Sequence, residues 1–123
     1  MEEALTAYEE RLSAPWRRLM ETVDAGRTNE RQLESINLVL LSMERNWLDE
    51  TGLPGRPWFR NLYAANDPTS GYGAWMLPAL RQAIEDRDAV AAMRAVERCV
   101  AAIERLTADV GRIENLVAPA IYD

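Results

Sequence analysis

Residues 52–73 read GLPGRPWFRNLYAANDPTSGYG and separate two stretches that have helical periodicity. This segment holds four of the six glycines and three of the six prolines, a composition that ends helices and forms turns. It also holds Trp58, Phe59, Tyr63 and Tyr72, and this density of aromatic side chains argues against disorder. We therefore predict a long ordered loop, and a loop of this length within a compact domain usually has a function.

Two helices are predicted before the loop. In the first, over about residues 2–25, Pro15 should bend or break the helix near Ser13 and Ala14, and Gly26 can end it. The second covers about residues 29–50, with Asn29 as its N-cap. Both have apolar residues at three- and four-residue spacing: Leu5, Tyr8, Leu12, Trp16, Leu19 and Val23 in the first, and Leu33, Ile36, Leu40, Met43 and Trp47 in the second.

The second helix is apolar over more of its circumference than one packing contact requires. Leu38, Val39, Leu41 and Leu48 widen its apolar face, so we expect it to touch more than one neighbour. Part of that surface is a candidate subunit interface. The residues assigned to this interface are Leu41, Trp47 and Leu48.

Two further helices are predicted after the loop. Pro78 suits the first position of a short helix that ends near Arg87, and Asp88 can cap a long helix over about residues 89–117. The sequence shows no convincing strand pattern. We therefore predict an all-α fold, a four-helix up-and-down bundle with one long ordered loop between helices 2 and 3, as a single domain over residues 1–123.

The composition excludes several functions. The chain has 123 residues, a net charge of −6, one cysteine, no histidine and no lysine. Zinc enzymes, Ser-His or Cys-His nucleophiles, di-iron bundles and lysine-dependent phosphate loops therefore lack essential residues. Negative charge without a basic tract argues against nucleic acids and anionic membranes as partners. The acidic first residues, Met1–Ala4, do not resemble a signal peptide.

The remaining polar clusters have ordinary explanations. The acidic pairs, such as Glu9-Glu10 and Asp49-Glu50, are best interpreted as solvated surface beside arginines rather than as acid–base catalysts. Residues 66–70 could bind calcium, but Asn66-Asp67-Pro68 is typical of a polar turn. Cys99 is expected to be a buried structural thiol.

The loop contains the best candidates for binding. Tyr72 lies between Gly71 and Gly73, so its phenol could be presented to a partner, or its ring could pack the loop onto the helices. Arg56, Pro57 and Arg60 are candidate loop-structuring residues. The arginines could pair with carboxylates, or they could be plain surface residues.

The run from Gly52 to Ala64 resembles the signature of the transferrin-receptor-like dimerisation domain, the C-terminal helical module of the glutamate carboxypeptidase and transferrin receptor family. The family pattern is Gly-Leu-Pro-x-Arg-Pro, two aromatics and Arg-His, then Tyr-Ala, a Tyr between small residues, and Phe/Leu-Pro. Here Tyr63-Ala64, Tyr72-Gly73 and Leu77-Pro78 follow in that order, while Asn61 replaces the histidine. The resemblance is most specific over residues 52–84 and covers a core of about 29–117.

The resemblance implies a non-catalytic module of a larger protein. In the family, the zinc belongs to an upstream peptidase domain, so no cofactor is expected in this chain. The expected partners are a second copy and that peptidase domain, in a zinc-dependent carboxypeptidase or aminopeptidase. The family often works in the periplasm or outside the cell, but the sequence leaves the compartment of this chain open. In the carboxypeptidase branch, a Lys-Tyr pair of the loop binds the substrate carboxylate; Tyr72 matches the tyrosine, but Gly71 replaces the lysine.

Three hypotheses are therefore open. The first is the dimerisation module, whose 52–76 loop would complete the substrate pocket of a glutamate-carboxypeptidase-like peptidase. The second is a free-standing helical adaptor that binds a protein partner. The third is a small autonomous enzyme that uses Tyr72 with Asp67 or Arg56.

Overall fold

Helices form most of the computed structural model, which describes residues 1–26 and 28–117. Within these residues there are four α-helices, one 3₁₀ helix and two short strands. In chain order they are α1 (Glu2–Asp24), α2 (Glu30–Met43), the 3₁₀ helix (Glu44–Trp47), β1 (Ala64–Asn66), β2 (Ala74–Met76), α3 (Pro78–Glu85) and α4 (Ala89–Val117). No helix in these ranges is long and apolar enough to cross a bilayer.

The helix ends carry the capping residues that the sequence predicts. Asn29 accepts a hydrogen bond from the backbone N–H of Gln32 at 2.9 Å, and Asp88 accepts one from Ala91 at 2.9 Å. Pro78 occupies the first turn of α3, where its missing N–H costs no helical hydrogen bond. Gly26 ends α1 with a φ of +63°. The predictions of these four ends are therefore confirmed.

Two helices differ from their predicted extents. The helix α1 continues through Pro15, so it does not break near Ser13 and Ala14. Its apolar stripe continues on both sides of the proline, and tertiary packing can outweigh the lost hydrogen bond. The helix α2 ends at Met43 rather than near residue 50, and the chain then tightens into the 3₁₀ helix.

The prediction of a purely helical fold is wrong in one respect, because β1 and β2 form an antiparallel hairpin. Ala65 pairs with Trp75, flanked by the pairs Ala64–Met76 and Asn66–Ala74. Each strand has only three residues, which is too short to produce a recognisable alternation of apolar and polar residues. The turn chemistry between the strands determines this hairpin.

The described residues form two compact units. One consists of residues 45–102 with Met1, and its buried side chains include Leu53, Leu62, Trp75 and Cys99. The second consists of residues 2–44 with the part of the chain from Ile103 onward. Its core joins the three helices α1, α2 and α4 through Leu19, Ile36, Ile113 and Val117.

Candidate functional site

The loop between α2 and α3 begins with an anchor from α4. Arg98 donates from Nε to Oδ2 of Asp49 at 2.8 Å, and from Nη2 to the hydroxyl of Thr51 and the carbonyl of Gly52 at 2.9 and 2.8 Å. The Arg98 guanidinium holds the pKa of the Asp49 carboxyl well below its usual range. Arg98 thus forms hydrogen bonds to three residues at the start of the loop, Asp49, Thr51 and Gly52.

The next turn requires glycine at position 52. Gly52 has a φ of +68°, and a Cβ at this position would lie 2.1 Å from the carbonyl oxygen of Pro57. The backbone of Pro57 thus passes directly over Gly52. Nearby, the N–H of Leu53 donates to the carbonyl of Phe59 at 2.8 Å, and this bond closes a tight 53–59 loop around the buried Leu53 side chain.

Arg56 connects this small loop to the hairpin. Its Nη1 donates to the carbonyl oxygen of Asn66 at 2.7 Å, and its guanidinium carbon lies 5.1 Å from the centre of the Phe59 ring. The acceptor is therefore a backbone carbonyl, where a carboxylate was expected. Arg60 is exposed, and it contributes its carbonyl, which accepts from the N–H of Asp49 at 2.9 Å.

Asn61 organises the approach to β1. Its Oδ1 accepts from the N–H groups of Tyr63 and Ala64 at 2.8 and 3.1 Å. The Tyr63 ring packs against Trp47, with ring centres 5.2 Å apart and a tilt of 51°. These contacts place the start of the hairpin beside the 3₁₀ helix of the same unit.

The tip of the hairpin is held by Asp67. Its Oδ1 accepts from the N–H groups of Thr69 and Ser70, and its Oδ2 accepts from the Ser70 hydroxyl and the Gly73 N–H at 2.6 and 2.7 Å. These bonds, led by that of the Ser70 hydroxyl, hold the pKa of Asp67 well below its usual range. The carboxylate therefore forms the polar turn that the sequence predicts, with both oxygens occupied by donors.

Tyr72 lies at the apex of this turn. Its N–H donates to the Ser70 hydroxyl at 3.2 Å, and its side chain is 97% exposed. The ring therefore does not pack the loop onto the helices, which was one of the two sequence interpretations. The backbone of Tyr72 is held in place while its phenol points into solvent.

The three candidate interface residues have different environments. Leu41 on α2 is 72% exposed, and Leu48 is about half exposed. Trp47 is only partly exposed because it packs against Tyr63. Within its own unit, α2 also exposes Leu38, at 69%.

The zinc implied by the family does not fit these residues. The sequence contains no histidine, and among the described residues no three His, Cys, Asp or Glu side chains form a group able to hold a metal ion. The carboxylate oxygens of Asp49 and Asp67 already accept hydrogen bonds from other groups of the protein. Cys99 is buried, and burial raises the pKa of its thiol.

Sequence reasoning missed the role of Arg98 and part of the role of Asp67, the two residues that organise the loop most strongly. Arg98 lies beside Glu97 in sequence, whereas its partner in the structure, Asp49, lies 49 residues away. Asp67 was recognised as a turn residue, but its bond to Gly73 was not foreseen. A Gly-Tyr-Gly run a few residues after Asn-Asp-Pro was the available signal.

Comparison with known proteins gives a family match. The family model of the transferrin receptor-like dimerisation domain matches residues 2–110, a range that includes α1, the loop and most of α4. An inactive zinc metalloprotease of Schizosaccharomyces pombe is 32% identical over 74 residues, which are 60% of this chain. The match spans only 9% of that protein's length. The chain belongs to the transferrin receptor-like dimerisation domain family.

Proposed function

We propose that this chain is the non-catalytic dimerisation module of a larger peptidase-like protein, in which it pairs with a second copy and packs on a peptidase domain. Family membership supports self-association, and the S. pombe relative, named as an inactive zinc metalloprotease, supports the link to peptidase-like proteins. The glutamate-carboxypeptidase type of parent, with zinc in its own peptidase domain, is part of the same proposal.

The exposed outer face of α2 is the observation that carries this proposal. Leu38 and Leu41 lie three residues apart, on one face of the helix, and about 70% of each side chain is exposed. The opposite face, through Ile36, already packs in the core. These two neighbouring leucines form a small apolar patch on the outer face of α2, which supports a contact with a partner there.

Light scattering of the chain over a concentration series tests self-association. We expect a dimer that Leu41→Glu weakens by about tenfold or more, since burying an unpaired charge in an apolar interface is costly. Ile84→Glu is the matched control, because Ile84 is 63% exposed on α3. A monomer at every concentration would refute self-association through this module and leave docking on a peptidase domain as its role.

The loop supports a second, finer proposal: Tyr72 contributes a hydroxyl to the substrate pocket of the parent peptidase. The exposed phenol on a hydrogen-bonded turn supports it, and the missing lysine at Gly71 predicts weaker selectivity for glutamate. In an active full-length parent, Tyr72→Phe should raise KM while kcat changes little. Tyr63→Phe is the control, and equal effects of both variants would contradict the proposal.

The free-standing adaptor is the alternative function. It requires that the chain acts without a peptidase domain, and the same exposed α2 face would then bind another protein. The chain can be purified from its native source and examined for a peptidase domain, either attached to it or bound to it. Finding neither would favour the adaptor over the module.

A further inference from the structure

An apolar groove crosses the second compact unit. It lies between α1 and α2, with α4 as its floor, and has a volume of about 510 Å³. The floor residues are almost completely buried, whereas those on the two walls are at least partly exposed. The argument uses six lining residues: Leu12, Trp16, Leu40, Met43, Val110 and Ile113.

The unit that forms this groove also carries all of the chain's net charge. Residues 2–44 and 103–123 contain 13 acidic residues and seven arginines, whereas residues 45–102 contain seven of each. Among the described residues that line the groove, Glu9 is the charged one, and it is exposed on α1. An apolar partner with positive charge at its edge is therefore electrostatically complementary to this surface.

We propose that the groove binds an amphipathic helix with a basic flank, supplied by a protein partner. All three surrounding elements are helices, whose backbone groups are hydrogen-bonded internally, so an extended peptide would find no edge to pair with. A helix of the partner instead lies along the groove. It inserts apolar side chains at its positions i, i+3 and i+7 between Leu12 and Trp16 on one wall and Leu40 on the other. A second copy is the competing occupant, and the experiments below distinguish it from a basic amphipathic helix.

This inference is independent of dimerisation through the outer face of α2. Leu38 does not line the groove, although it is more exposed than any of the six groove residues named above. The two surfaces can therefore be tested by separate substitutions.

Fluorescence anisotropy with three labelled model peptides tests the proposal. Each peptide is a helix of about 18 residues, long enough for some helicity in water: one of Leu and Lys, one of Leu and Glu, and one of Ser and Lys. We expect the Leu/Lys peptide to bind at least about tenfold more tightly than the other two, with affinity that falls as salt increases. Equal binding of the Leu/Lys and Leu/Glu peptides would overturn the charge argument.

Reversing the charge of one exposed residue, Glu9, tests whether the peptide binds in the groove. Glu9→Arg should weaken binding of the Leu/Lys peptide severalfold and strengthen that of the Leu/Glu peptide. Glu10→Arg makes the same change in net charge one residue away, outside the groove, and should have a much smaller effect. Equal effects of the two variants would show that only the overall charge matters and would overturn the site.

Apolar substitutions complete the test. Trp16→Ala, at a half-exposed wall position, should reduce Leu/Lys binding about tenfold, whereas Leu38→Ala should not. Circular dichroism of each variant verifies folding. If Trp16→Ala abolishes dimerisation and no peptide binds, the occupant is a second copy and the proposal is wrong.

Discussion

Arg98 of α4 forms a bidentate ion pair with Asp49, in which Nε lies 2.8 Å from Oδ2 and Nη2 lies 2.8 Å from Oδ1. About a quarter of each side chain remains exposed, so the pair is shielded from solvent without being fully desolvated. The same guanidinium also reaches Thr51 and Gly52. The entry to the loop is therefore attached to the longest helix of the chain.

Removing this anchor should destabilise the chain. Arg98→Ala removes the donor of the Gly52 carbonyl and of Oδ2 of Asp49, while Thr51 still donates to Oδ1, and we expect a loss of about 1–3 kcal/mol in the free energy of unfolding. Urea denaturation measures this loss. Arg94→Ala, at an exposed position on the same helix, is the control and should change stability by less than about 0.5 kcal/mol.

Stability should also fall in acid. The folded-state pKa of Asp49 lies below the value of about 3.9 for an unfolded Asp, so its contribution is fully present above that value. The contribution is lost as pH falls from about 5 towards the folded-state pKa. Urea midpoints of the wild-type chain and Asp49→Asn should therefore differ more at neutral pH than at about pH 2. A constant difference would contradict the assignment.

Gly52 and Gly55 form a matched pair. Both have positive φ, +68° and +71°, but only Gly52 faces the backbone of Pro57, while Gly55 has open space around it. Gly55→Ala should cost about 1 kcal/mol for the backbone conformation alone. Gly52→Ala adds a clash with backbone atoms and should cost at least about 2 kcal/mol more, measured by thermal unfolding.

Asp67 should control the order of the Tyr72 turn. In Asp67→Asn, an NH₂ group replaces one of the two oxygen acceptors. If it replaces Oδ2, the Gly73 N–H and the Ser70 hydroxyl lose their acceptor. If it replaces Oδ1, the N–H groups of Thr69 and Ser70 lose theirs. We expect faster amide hydrogen exchange at residues 69–73, measured by NMR. Asp86→Asn, directly after the end of α3, is the control. Unchanged exchange at Gly73 in Asp67→Asn would show that the hairpin alone maintains the turn.

Local sequence signals predicted the helices well because their causes are local. Asn29, Asp88 and Pro78 act within one turn of the helix that each begins, and the prediction of α4 over about residues 89–117 agrees with its observed range. The hairpin was not predicted, because β1 and β2 are too short for a periodic pattern. The exposure of Tyr72 could be suspected from its flanking glycines, but the Asp67–Gly73 contact that supports it could not.

By itself, the sequence determined the approximate positions of the four α-helices, the ordered loop, the absence of histidine ligands and bases, and the motif that indicates the family. These depend on residue type and on neighbours within a few positions. Only the tertiary structure decided that Arg98 anchors Asp49 and that Arg56 reaches the Asn66 carbonyl. It also decided that an apolar groove opens between α1 and α2 in the acidic unit. Such contacts join residues far apart in the chain, or on separate elements, and their geometry depends on how the helices pack.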